Sequence, residues 1–445
     1  MRLHTILKTL TRKFPLKIIE EEVSDTDVTY IALHSKENNI LLFKNVLNKN
    51  MPILTNIVNT REKIKYILNA EDDAELYMRI LDACSNPLKA EEIDVNETEF
   101  IKNKVSDLSF LPILKFFPKD PGPYITSGIV IAMGPKSRVI NASIHRLLVL
   151  NKRKLVIRIV PRHLWRLYNE AVAMKKPLPV AIVIGTHPLV LLAAASSPPF
   201  GVNELEAANR LLEGKLRIAK SPIFGIPVPV DSEIVIEGKI LLETADEGPF
   251  VDATGTYDIV RKQPIVEIEA IWVSPNPIYY TIVPSSKEHL LLMGLYKEAL
   301  VWDYVRRIVP VKKVRLTWGG CHWLHAAISI KKMSEGDGKN AIMAAFSAHP
   351  SLKHVIVVDE DIDVDKPEEI EWALATRFQA SKDLVIIRGA RGSSLDPSAD
   401  QEKMITDKMG LDATKPLNKP PQEFEKVKIS PSTRAINILN KINKY

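Results

Sequence analysis

Between residues 111 and 284 the chain returns repeatedly to short runs of β-branched and aliphatic residues: "GIVIAMG", "KLVIRIV", "AIVIG", "EIVIEGKILLE" and "IVEIEAIWVS". Most are too short for a buried helix, and Gly, Pro or charged residues punctuate them. So many strands must pair into a sheet whose apolar faces are covered, which fixes a β-rich centre with one helical excursion, Asn203 to Gly214. The longest apolar tract, "LPVAIVIGTHPLVLLAAAS" from Leu178, is broken near its middle by Gly185, His187 and Pro188. It divides into a buried strand and a helix opening at Pro188, with His187 as its cap, and no membrane span is expected.

On either side the pattern changes. Up to about Ile101, helical stretches such as "NTREKIKYILNA" alternate with runs read as β-rich, "DVTYIALHS" and "NILLFKNVL", which predicts a small α/β unit over 1–104. The basic, amphipathic start "MRLHTILKTLTRKF" lacks an apolar h-region and reads as a first helix. After the β-rich region, 105–284, "SSKEHLLLMGLYKEALVWDYVRRIV" carries a serine cap and helical spacing, and so predicts a linking helix over 285–310. In 311–445, "VKKVRLTW", "HVIVVDED" and "DLVIIRG" alternate with helical "NAIMAAFSAH" and "PEEIEWALATRF", the pattern of a parallel sheet with crossovers. The tail "PSTRAINILNKINKY" reads as an amphipathic helix that docks on another subunit. The fold class is therefore α/β in three parts.

Several functions are excluded at this level. Sixty basic against 54 acidic residues leave a net charge of +6 spread along the chain, with no stripe for nucleic acid. Cys84 and Cys321 stand far apart without metal-ligand spacing, which fits a reducing cytoplasm better than a disulfide scaffold. There is no P-loop, no G-x-G-x-x-G after a strand, no HExxH and no G-x-S-x-G. The acidic run "DEDIDVDKPEE" lacks the glycine and closing glutamate of a calcium loop and reads as a strand end leading into a helix.

Polar residues in the β-rich region remain to be explained. Asn141 and Arg146 lie in "INASIHRLLV", His163 in "VPRHLW", Glu204 in "GVNELEAA", and Glu247 and Asp252 in "ADEGPFVDATGTYD". Amide oxygen, imidazole nitrogen and carboxylate together suit Mn²⁺ or Mg²⁺ better than a thiolate metal. Proline and glycine between Glu247 and Asp252 exclude a helix, so the fold around them must place these two acids.

The stretch "LPILKFFPKDPGPYITSGIVIAMGPKSRVINASIHR" resembles the UbiD family of decarboxylases, as do "VPVDSEIVIEGKI", "EGPFVDATGTYD", "WGGCHWLHAAISIKK" and "DKMGLDATKP". The likeness runs in family order from about Leu111 to Pro416. It implies a central split β-barrel holding prenylated FMN and a C-terminal α/β domain whose terminal helix builds a homo-oligomer, a dimer or hexamer. It further implies a divalent ion on the flavin phosphate held by Asn141, His163 and Glu204, with Glu206 as the rival to Glu204. Lys408 would contact the cofactor phosphate, and Ile144 and His145 would line the cofactor. A potassium site of backbone carbonyls would fall around Ala195 and Ser196.

In the same resemblance Arg146, Glu247 and Asp252 form an ionic network over the flavin. Arg146 orients the substrate carboxylate, Asp252 transfers a proton to the carbon left when CO₂ departs, and Glu247 is its partner. Like charges around one guanidinium suit this work, because repulsion raises one carboxyl pKa while the cation lowers the other. The resemblance also implies a flavin prenyltransferase as cofactor supplier. For the small carboxylate substrate it offers phosphorylated trans-anhydromevalonate 5-phosphate first, converted to isopentenyl phosphate as in archaeal members, and a 4-hydroxybenzoate-type aromatic acid second. A flavin-binding oxidoreductase or noncatalytic paralogue is the alternative of another class.

Overall fold

The computed structural model describes residues 2–427 and 429–442. Its centre is a nine-stranded antiparallel sheet. Eight strands follow the order Tyr124–Ile125, Leu147–Asn151, Lys154–Ile157, Arg261–Val273, Ile234–Glu247, Leu178–Ile184, Ile129–Met133, Ile140–Ile144, and Asn103–Val105 adds to Arg261–Val273.

Connectivity forces this sheet to curl. Ile140–Ile144 lies at one end of the order and Leu147–Asn151 second from the other, yet only His145 and Arg146 separate them. Six strand spacings of about 4.8 Å would put them roughly 29 Å apart in a flat sheet, whereas three residue steps reach at most about 11 Å. The sheet therefore wraps on itself. His145 N donates to Gly128 O and Arg158 N to Arg146 O, at 3.2 Å each, so this dipeptide crosses the split between the ends. Among the described residues the end strands do not pair directly, and the barrel stays open there.

The aliphatic runs fill both sides of the curled sheet: Ile129, Ile131, Ala181, Val183 and Val235 join one cluster, and Val130, Ile182, Ile184, Ile234 and Ile236 the other. Alternate residues of each strand thus face different cores, which is why the runs look continuously apolar. The apolar tract divides as the sequence predicts, into strand Leu178–Ile184 and helix Pro188–Ala195, with His187 Nδ1 accepting from Leu189 N at 3.1 Å. No described helix is long and apolar enough to cross a membrane.

In the N-terminal part, three strands, Leu16–Ile19, Ile40–Phe43 and Ile53–Thr55, are completed by Tyr279–Tyr280 from beyond the barrel. One expectation fails here. "DVTYIALHS", read as β-rich, lies in helix Asp25–His34, because Ser24 and Asp27 form a capping box and Val28, Thr29 and Ala32 give it a buried face. A good cap and a buried stripe outweigh weak β propensity.

Helix Lys287–Arg306, capped by Ser286, leads into a five-stranded sheet ordered Val311–Leu316, His325–Ile330, His354–Asp359, Ile405–Ala413, Leu384–Arg391. Only its middle three strands are parallel. Both outer strands run antiparallel, because a tight turn through "WGGCH" joins the first two and a return loop joins the last two. Helix Thr433–Ile442 has no buried residue, and Ile436, Leu439 and Ile442 are exposed on it. The last three residues of the predicted tail helix lie outside the described residues.

Candidate active site

Strand Ile140–Ile144 and its two following residues organise the site. Side chains alternate along a strand, so Asn141, Ser143 and His145 share one face. Ser143 Oγ lies 3.0 Å from Asn141 Oδ1 and 2.9 Å from His145 Nε2, while His145 Nδ1 lies 2.9 Å from Arg158 O. A carbonyl only accepts, so Nδ1 carries the imidazole proton and Nε2 needs a donor. The single Ser143 hydroxyl proton can serve Nε2 or Asn141, and serving Nε2 leaves the amide oxygen an unused lone pair. Burial brings the His145 pKa down to about 4, so the ring stays neutral at physiological pH.

Helix Glu204–Leu211, capped by Asn203, brings its first residue against that amide. Glu204 accepts from Asn141 Nδ2 and from Ala142 N, at 2.8 Å each, and lies 3.5 Å from His163 Nδ1. Glu206 points elsewhere on the same helix and is only half-buried. Glu204 is a buried carboxylate with no Lys or Arg partner among the described residues, beside the Asn141 amide and an imidazole. That is a donor set a hard divalent ion fits, because the ion would supply the missing positive charge. Among the described residues no group of three or more His, Cys, Asp or Glu side chains is placed to hold a metal; this set has two and an amide.

At the other end of the strand Arg146 crosses the split and meets the mouth of the barrel. Its Nε and Nη2 clasp Glu247 at 2.9 and 2.8 Å, Nη1 donates to Asp252 at 2.8 Å, and Nη2 also reaches Asp258 at 3.1 Å. The Phe250 ring lies 4.5 Å from the guanidinium carbon. Burial opposes the charge on Arg146, but Glu247, Asp252 and Asp258 together hold its pKa above the ordinary value.

The two predicted acids differ in setting. Glu247 ends the long strand Ile234–Glu247, is fully buried and also accepts from Tyr124 OH at 3.2 Å. Asp252 lies beyond Gly248, Pro249 and Phe250 and keeps 21 % of its side chain exposed. Gly248 has φ +95°, and a Cβ there would lie 3.1 Å from Ile259 O, so the turn between the acids requires glycine.

Three neighbours escaped sequence reasoning. Asp258 sits opposite Phe250 in the hairpin Phe250–Val251/Tyr257–Asp258 and is gripped by Arg261 at 2.5 Å. Although burial would raise its pKa, Arg261 and Arg146 hold it below the usual carboxylate value. Its signal was present, two acids flanking a β-turn of "ATGT". Tyr124, whose ring lies 4.6 Å from Phe250, is pushed up by burial and by Glu247. His289, in the first turn of the linking helix, accepts from Ser285 N at 3.0 Å through Nδ1, which leaves the proton on Nε2. Burial lowers its pKa, Asp252 pulls it up and Arg146 lowers it again, so the ring stands within electrostatic reach of the acid network.

Of the remaining predicted residues, Ile144 is half-buried and packs against the larger core. Lys408, on strand Ile405–Ala413, donates to Pro350 O and Leu352 O at 2.6 Å each, and desolvation lowers its pKa to about 8. No described hydrogen bond links it to Asn141, His163 or Glu204; its charge, like that of Arg162 beside His163, acts on His349.

Known proteins extend this picture. Residues 7–84, 87–287 and 290–413 match the N-terminal, Rift-related and C-terminal domains of 3-octaprenyl-4-hydroxybenzoate carboxy-lyase. The chain is 46% identical over 414 residues to the anhydromevalonate phosphate decarboxylase of Aeropyrum pernix, covering 93% of each chain. To the protein of that name from Methanothermobacter thermautotrophicus it is 45% identical, over 90% of this chain and 94% of the relative. It superposes with TM-score 0.94 at 39% identity on the UbiD-class enzyme HmfF from Pelotomaculum thermopropionicum in complex with FMN, covering 99% of this chain and all of that one. With matched domains along nearly its whole length and such identities over most of it, the chain belongs to the UbiD family of carboxy-lyases.

Proposed function

We propose that the protein is a prenylated-FMN-dependent decarboxylase that converts trans-anhydromevalonate 5-phosphate to isopentenyl phosphate. The observation that carries the reaction class is Arg146, which clasps the buried Glu247 with two nitrogens and holds the partly exposed Asp252 with a third. The names of the archaeal relatives support the substrate.

Strand geometry suits a flavin nucleotide. Five residue steps of about 3.3 Å separate Asn141 from Arg146, so the donor set and the acid network lie roughly 16 Å apart along the strand. That span accommodates a ring system with its phosphate tail. Asn141, His163 and Glu204 would hold Mn²⁺ or Mg²⁺ at the phosphate end, with Lys408 adding charge and K⁺ near Ala195 and Ser196. Prenylated FMN, when bound, supplies the electron sink for the pair released with CO₂.

The chain's own residues do the rest. Arg146 offers a guanidinium to the substrate carboxylate, and Glu247, buried and doubly held, fixes its plane. Asp252 is the acid that reaches the open side of the network, with 21 % of its side chain exposed, one oxygen on Arg146 and the other on the adjacent Ala253 N. It delivers a proton to the carbon that has lost CO₂ and takes one back in the reverse direction. His289 and Tyr124 position the acids from either side.

A flavin prenyltransferase would supply the cofactor, and a reducing cytoplasm suits the two free cysteines. The uncovered apolar face of helix Thr433–Ile442 would join copies into a dimer or hexamer. The test is CO₂ release by protein loaded with prenylated FMN, assayed against the phosphorylated enoate and a panel of 4-hydroxybenzoate-type acids. Turnover of the enoate is expected; turnover of the aromatic acids alone would end the isoprenoid reading.

A further inference from the structure

His163 is the one member of the donor set whose side chain no close hydrogen bond orients. Asn141 and Glu204 hold each other at 2.8 Å, and Glu204 also accepts from Ala142 N. The His163 ring comes only to 3.5 Å from Glu204, through Nδ1, and has no other polar partner among the described residues. A histidine that binds a metal is usually fixed by a hydrogen bond from its second nitrogen to a carboxylate or carbonyl. Its neighbour here is aromatic instead: the half-buried Phe200 ring lies 5.6 Å away, centroid to centroid, at an edge-on angle of 74°.

Phe200 is itself braced. The guanidinium carbon of Arg166 lies 3.8 Å from its ring centroid. Arg166 follows His163 by three positions on helix His163–Ala173, so the two side chains leave one helix face and meet the same ring. A turn delivers Phe200 to that point: Val202 N donates to Pro199 O at 3.1 Å, and Gly201 takes φ +102°, the left-handed conformation that the third residue of a type II turn requires. Asn203 then caps helix Glu204–Leu211, its Oδ1 accepting from Leu205 N at 3.0 Å. One short loop thus sets Phe200 against His163 at its middle and Glu204 against Asn141 at its end.

From this geometry we infer that Phe200, braced by Arg166, is the positioning residue for His163: it fixes the imidazole plane so that a ring nitrogen faces Glu204 and Asn141, where the divalent ion would sit. The inference rests on the metal reading above. Phe200 touches no reacting atom and acts only through His163. An aromatic contact suits this task, because it restricts rotation of the imidazole without taking up its lone pair or its proton. Arg166 adds a cation–π contact that keeps Phe200 from turning away.

Titration of the full chain, with FMN bound, by Mn²⁺ tests this; free ion is read from its EPR signal and histidine-nitrogen coupling to bound ion by pulsed EPR. Wild type should bind Mn²⁺ and show the coupling. Phe200→Leu, which fills the space without a ring, should weaken Mn²⁺ binding roughly 3- to 10-fold, the worth of one aromatic pair, and broaden or abolish the nitrogen coupling at an unchanged melting temperature. Phe200→Tyr, which keeps the ring, should restore both, and Arg166→Met should weaken binding roughly 2- to 5-fold. Wild-type affinity and coupling in Phe200→Leu, alongside loss of Mn²⁺ in His163→Ala, overturn the positioning role and leave the metal site standing. Wild-type affinity in His163→Ala refutes the ligand set itself, and the role of Phe200 falls with it.

Discussion

Two buried arginine–carboxylate networks of similar make-up sit in this molecule, and they differ in what they join. At the barrel mouth Arg146 gathers Glu247, Asp252 and Asp258. At the seam between the N-terminal unit, the linking helix and the C-terminal sheet, Glu298 accepts from Arg61 at 2.6 Å, from Leu316 N at 2.7 Å and from Tyr77 OH, while Arg315 binds Asp73, Asp365 and the Tyr77 hydroxyl. Both arginines have pKa values held above the ordinary by their acids against the effect of burial. Perturbed titration therefore does not separate site from scaffold. Position does: Arg146 and its acids lie just beyond the strand that carries Asn141, whereas Glu298 and Arg315 tie three segments of the chain together, and the exposed Asp365 of that network is held by both Arg315 and Lys313.

The largest test of that contrast is Asp252→Asn. Turnover should fall about 10²- to 10⁴-fold while bound flavin and melting temperature stay near wild type. An unchanged rate would remove the proton-transfer role. The reciprocal change, Glu298→Ala, should cost about 3–5 kcal/mol of unfolding free energy in denaturant titration, because it strands Arg61 in the interior, yet leave the rate per folded molecule intact. A large loss of rate without loss of stability would erase the distinction.

Acid should probe the two regions together. His145 beside the site has its pKa brought down to about 4, and His322 beside the seam lies well below its usual value, chiefly through burial and then through Arg61 and Arg315. Each group binds fewer protons folded than unfolded, so its contribution is complete above about pH 6.5 and is lost as pH falls toward the folded value. Each removes about 1.4 kcal/mol per pH unit within that window. Stability measured from pH 7 to 5 should decline accordingly, and His322→Asn should flatten the slope by one histidine's share without changing the cofactor spectrum.

Glu204→Gln should weaken Mn²⁺ affinity at least 10- to 100-fold in equilibrium dialysis, since an amide replaces the only carboxylate of the donor set. The smallest effect expected is from Tyr124→Phe, which removes one 3.2 Å hydrogen bond to Glu247 and should cost about 0.5–1.5 kcal/mol of stability with only a modest change in rate.

The seam also explains a feature the sequence left ambiguous. In "DEDIDVDKPEE", Asp359 and Asp361 hold Arg377, while Asp363 and Asp365 hold Lys313, and Asp365 also holds Arg315. The acidic run is internal electrostatic support. Conversely, Asp258, Tyr124 and His289 were illegible as site residues, because each reaches Arg146 or its acids through a hairpin, a ring stack or a helix cap rather than through local spacing.

The covalent order of residues determined the apolar strands, the split of the tract at Pro188, the linking helix and, through family motifs, the six residues from Asn141 to Asp252 on which the site is built. Those features are local: side-chain period, caps and turn-forming residues act within a few positions. Tertiary structure alone decided that the outer strands of the C-terminal sheet run antiparallel and that Glu204 rather than Glu206 faces Asn141. Such outcomes depend on which distant surfaces pack together, and the energy of that packing belongs to pairs of segments that no single stretch of chain contains.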